Sequence, residues 1–178
     1  MIGPFPVLVN ETIDQVDVAE WHKAIQEATL ANFNRNSILR PVANALCRHE
    51  GKHAMFTVDL SVMMQSSLTK QALAPVLADI LRYFGAYTVV VSTEAWMAMP
   101  KETEVDMTTP VSERPDRKEV VMVQYETLGK PGRMEYFDIA RDADGNGTVA
   151  AEPSLTFHDS AFGFLTDLLK QMAPMAEA

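Results

Sequence analysis

The chain has 178 residues, enough for one domain around a single core, and at 47 % hydrophobic content it needs no disulfide or metal to hold that core. A net charge of −9 opposes contact with a phosphate backbone and the basic residues form no cluster, so nucleic acid is excluded as a direct partner. No apolar run approaches the roughly 20 residues of a membrane span, the single cysteine has no partner for a disulfide, and no secretory leader opens the chain; no membrane contact and a cytoplasmic location are expected.

In chain order, the first segment, about 1–12, is expected to be a flexible lead. Asp17 with Glu20 three residues on resembles a capping box, and Val18, Trp21, Ile25 and Ala28 then recur at helical spacing, which predicts a helix over about 17–33. Ser37 is placed to cap a second helix carrying Val42, Ala45 and Leu46, with Cys47 on its buried side and Gly51 as its left-handed stop. From Ala54 the period changes: Phe56, Val58, Leu60, Val62 and Met64 alternate with polar residues, the pattern of a strand with one buried face. Leu73, Val76, Leu77, Ile80, Leu81 and Phe84 form a wide apolar stripe ended by Gly85, with Pro75 expected in the opening turns or at a kink.

The run AYTVVVSTEAWMAM is apolar on both faces and reads as an inner strand. KEVVMVQYETL and RMEYFDIAR follow as strands joined by GKPG, which suits a tight reversal, so a hairpin is expected. A last helix is expected over about Ser160–Met172, with a tail from 174 to 178. The fold class is therefore α+β in a single domain over 1–178: a mixed or mostly antiparallel sheet of four to five strands with helices packed on it, in the order ααβαβββα. The long irregular stretch 100–116 lies between two strands, where such loops are usually functional or disordered.

Two short strings suggest metal chemistry. Asp142, Asp144, Asn146 and Gly147 match the opening of a calcium-binding loop, but Pro153 stands where a bidentate glutamate is required, so the segment reads as a polar turn. His49, Glu50 and His53 spell the H-E-x-x-H of zinc hydrolases, whose histidines must project from one helical face. Gly51 breaks that helix, so no metal and no cofactor is expected. A metal-dependent hydrolase on His49, Glu50 and His53, with Glu94 as third ligand, is the alternative.

A third constellation combines Ser92, Glu94, Ala95 and Trp96 with Pro115, Asp116, Arg117 and Glu119 across the long loop. Apart from Thr93, inserted after Ser92, it resembles a family of uncharacterised bacterial, archaeal and prophage proteins with an S-E-A-W strand and a P-D-R-x-E loop. The resemblance covers about residues 50–146 and implies a small α+β fold and a phage or mobile-element origin, without implying an activity. From the residues themselves, Glu94, Trp96, Asp116, Arg117 and Glu119 are expected to meet where one strand leaves the sheet and the next enters it. Arg117 would bridge the carboxylates with Trp96 as cover, either as a structural clasp or as a small-ligand site around Glu94. The expectation is a non-enzymatic interaction or assembly protein, with a protein partner or self-association through the long loop or a sheet edge.

Overall fold

Asp17 caps the first helix as its spacing from Glu20 predicts: its carboxylate accepts from the Ala19 and Glu20 amides, and helix α1 runs Val18–Asn36. The helix ends where Ser37 adopts a left-handed φ of 57° and donates its amide to the Phe33 carbonyl at 2.7 Å. Ser37 thus closes the first helix and opens no second one. In the computed structural model the described residues are 7–13, 15–49, 51–65, 67–98, 109–158 and 168–169, with backbone alone for 7–13, 49 and 67–71.

The expected second helix is a strand. Before it comes β1 (Val7–Ile13), and after α1 come β2 (Val42–His49) and β3 (Lys52–Asp59), a hairpin turning at Gly51 with φ 78°. Ala43, Ala45 and Leu46 are fully buried, with Ala43 and Ala45 on one face of the strand and Leu46 on the other. Alanine favours helix intrinsically, but here its small side chain lets another element approach the sheet closely, and tertiary packing overrides propensity. The strand expected to reach Met64 ends earlier: residues 61–64 are a turn and Val62 is exposed.

Helix α2 (Ser67–Tyr83) follows, with Pro75 inside it on the exposed side, and then β4 (Ala86–Ala98). A single short 3-10 turn, Val111–Glu113, precedes β5 (Arg117–Thr127), β6 (Arg133–Asp138), the small pair β7 (Ala140–Arg141) and β8 (Gly147–Thr148), and β9 (Leu155–His158). The expected β5–β6 hairpin is present, and β4 is an inner strand as its two apolar faces require. Among the described residues the main sheet has seven strands rather than four or five, in the order β1-β3-β2-β4-β5-β6-β9, and every neighbouring pair is antiparallel. Val7–Ile13 forms an edge strand on β3. The last helix falls outside the described residues except for Leu168 and Leu169, which are buried in a turn.

The two helices cover opposite faces. On one, Leu73, Leu77, Ile80 and Leu81 of α2 pack with Phe56, Val58, Val89 and Val91. On the other, Leu30 and Phe33 of α1 pack with Val90, Val121, Val123 and Phe137. The β7–β8 hairpin closes over the end of α1, and there Gly147 approaches the Phe33 ring so nearly that a Cβ would lie 2.8 Å from Cζ. Phe33 is fully buried and has no room to retreat. Gly147→Ala is therefore expected to destabilise the fold by about 1–3 kcal/mol, and Phe33→Leu in the same chain to recover part of what the two single changes lose together. Denaturant midpoints of the single and double variants measure the coupling; strict additivity would place the hairpin away from the ring.

Candidate functional site

Strand β4 is longer than its neighbour: β2 pairs with it only as far as Ser92, while β5 follows it to Ala98. Residues 93–98 thus run on beside 117–122 as an arm of β4 and β5, with β6 continuing the sheet on the far side of β5 from 120 to 122, and among the described residues no strand pairs with the other side of β4 there. The register sets Trp96 opposite Glu119, with Glu94 two residues back on the same face.

Glu94, Trp96 and Glu119 do come together, but the cation that joins the carboxylates is Arg141 rather than Arg117. Arg141 donates from Nε and Nη2 to the two oxygens of Glu119, at 2.7 and 2.5 Å, and its Nη2 lies 3.6 Å from Glu94 Oε2. Its Nη1 donates to the Gly145 carbonyl at 3.0 Å, and Glu94 Oε1 accepts from the Leu39 amide at 2.5 Å. The guanidinium beside it holds the Glu119 carboxyl below its ordinary range. One arginine thereby ties β4, β5, the β7–β8 hairpin and the segment after α1. Asp116 pairs with Arg114 in a two-point contact at 3.1 and 2.9 Å, and Arg117 lies over the Trp96 ring, 5.0 Å from its centre, donating to the Arg114 carbonyl. Trp96 covers an arginine, as expected, but a different one from the clasp's. No local pattern marks Arg141, because its partners are far away in sequence.

The H-E-x-x-H string occupies two strands. His49 pairs with Lys52 and His53 with Arg48, so the histidines stand on consecutive rungs of a hairpin instead of one helical face; Glu50 lies outside the described residues. His53 Nδ1 shares a 2.7 Å hydrogen bond with the Tyr87 hydroxyl, whose ring lies under Arg48. Cys47 is buried in β2, and burial pushes its thiol pKa up. The calcium-like string is a tight turn: Asp142 accepts from the Asp144 and Asn146 amides at 3.0 and 2.8 Å, and Gly145 takes a φ of 84°. Among the described residues no group of three or more His, Cys, Asp or Glu is arranged to hold a metal ion, and no helix is long and apolar enough to cross a membrane.

A feature with no sequence signature lies at the other end of β5. A cavity of about 560 Å³ opens between the start of α1 and the β5–β6 turn, lined by Val18, His22, Tyr125, Lys130, Arg133 and His158 among others. Arg133 stacks on Tyr125 at 4.3 Å from the ring centre and its Nε is 3.3 Å from Glu135 Oε1, while the Tyr125 hydroxyl donates to Glu135 Oε2 at 2.9 Å. His22 Nε2 lies 2.8 Å from Thr88 Oγ1, which spends its one proton on the Glu126 carbonyl. Thr88 must therefore accept, and Nε2 carries the imidazole proton. Burial, then Arg133 and Lys130, lower the His22 pKa from 6.5 to about 4.

No protein-family description, curated protein or solved structure matches the chain. The geometry makes three predictions. Arg141→Ala should lower stability by about 1–3 kcal/mol, because it strands two half-buried carboxylates, and Arg141→Lys should restore only part, since an ammonium lacks the two-donor fork. Arg117→Ala should change it by less than about 1 kcal/mol, as an exposed stacked cation does; chemical denaturation of the three variants ranks them. His22 binds its proton more readily in the unfolded chain, so its contribution is full above pH 6.5 and is lost as pH falls toward 4. Denaturant midpoints should decline through that window, and His22→Gln should flatten the decline.

Proposed function

We propose that the chain is a non-enzymatic assembly protein that associates with a second copy of itself through the free side of the β4 arm. The observation that carries this reading is Trp96, 46 % exposed and stacked under Arg117 on a strand segment that has no paired strand on one side among the described residues. Unpaired strand edges recruit other strands, and an exposed tryptophan beside arginine has the composition of an interface centre.

Charge supports a second copy as the occupant. At −9 the chain repels itself in general, but here Arg114, Arg117, Lys118 and Arg141 stand against Glu94, Asp116, Glu119 and Asp138, so the arm is closely balanced. Two antiparallel arms related by a two-fold axis would bring their Trp96 residues together near it.

Sedimentation across a concentration series is expected to show reversible dimerisation, with Trp96→Ala weakening it about tenfold or more, the loss typical of an interface centre. A chain that stays monomeric at its highest soluble concentration, or a dimer indifferent to Trp96→Ala, would overturn the reading.

A further inference from the structure

We infer that the cavity between α1 and the β5–β6 turn is a binding site for a small organic phosphate, its anionic group held by Lys130 and Arg133 and its organic part against Pro131 and Val18. The inference is independent of the assembly reading, since the cavity lies at the opposite end of β5 from the arm.

Three observations converge on it. The cavity, at about 560 Å³, has the volume of small-molecule sites. Its lining runs against the charge of the chain: Lys130 and Arg133 meet here in a protein of net charge −9, Arg133 also pairing with the buried Glu135. Arg133 is also pre-set. Stacking on Tyr125 and the contact of its Nε with Glu135 fix the guanidinium plane before any ligand arrives, which reduces the entropy lost on binding. Glu135 itself is buried behind the lining, and its other oxygen accepts from the Tyr125 hydroxyl. A planar guanidinium and an ammonium are the usual pair for a phosphate, the first giving direction and the second charge.

His22 makes the site sensitive to protons. The charged and titratable groups around it are Lys130 on the turn, Arg133 and Glu135 on β6, Tyr125 on β5, His158 on β9 and Asp17 at the head of its own helix, where Asp17 is engaged as the cap. With Nε2–H committed to Thr88, a second proton must enter at Nδ1, and the neighbouring cations oppose it. An anion between those cations offsets their field, so phosphate binding and His22 protonation favour each other.

The test is titration of the intact chain with phenyl phosphate at constant ionic strength, followed through the imidazole proton resonance of His22, identified by its loss in His22→Gln. Saturable shifts are expected, with benzyl alcohol producing none. Lys130→Gln, on the exposed turn, and Arg133→Gln should each weaken binding by about tenfold or more, as expected for removal of a charge-assisted hydrogen bond to an anion. In saturating phenyl phosphate the His22 midpoint should rise by about one unit, a readout that a structural role for these cations would leave unmoved. Absence of saturation, an affinity unchanged in Lys130→Gln, or an unmoved His22 midpoint would each overturn the assignment.

Discussion

The middle of strand β4 is buried on both faces, its polar Thr88 and Ser92 included. Val89, Val90 and Val91 are all 1 % exposed or less, and the strand lies between β2 and β5 with apolar side chains on both sides of the sheet. Such a strand is stable only if both faces of the sheet are covered. That requirement sends α1 to one face and α2 to the other, and it explains why Ala43 and Ala45 on the adjoining strand are small, since a bulkier row would hold α2 away from Val89 and Val91. Among the described residues, Leu168 and Leu169 add to the cover on the α2 side.

The polar groups follow from the same arrangement. Where β4 outruns β2 it passes from valine to Glu94 and Trp96, and carboxylates at the border of a core need a partner that arrives with its own supports. Arg141 meets that need because the β7–β8 hairpin is pressed against Phe33 by Gly147, which leaves the guanidinium spanning β4 and β5. The clasp is thus a consequence of core packing: the hairpin is seated by an aromatic ring and a missing Cβ, and the ion pair forms at the edge of that contact. Arg117, without such seating, rests on an exposed ring.

Charge is distributed unevenly over the molecule. The acidic surplus is spread, while cations are concentrated at the cavity near His22 and balanced at the arm. A neutral histidine between two cations is unfavourable to protonate, and the fold tolerates it because Thr88 accepts its Nε2 proton and burial favours the uncharged ring. The two ends of β5 therefore differ: one is closed by the Arg141 ion pairs, and the other borders a cavity lined by Lys130 and by Arg133 in its pairing with Glu135.

Local patterns in the amino-acid order determined the α1 cap at Asp17, the α2 stripe from Leu73, the inner character of β4 and the β5–β6 hairpin at GKPG, because capping, periodicity and turn chemistry act within a few residues. They also marked Glu94, Trp96 and Glu119 as neighbours, and Gly51 as the helix stop that separates His49 from His53. What the tertiary structure decided has the opposite character. Residues 42–49 satisfy a helical spacing and a strand alternation equally, and β3 and β4 on either side resolve the choice in favour of the strand. The identity of the clasp arginine, and the meeting of His22 with Lys130 and Arg133, depend on residues separated by long stretches of chain, and no periodicity encodes such a contact; it exists only once the helices have been seated on their two faces of the sheet.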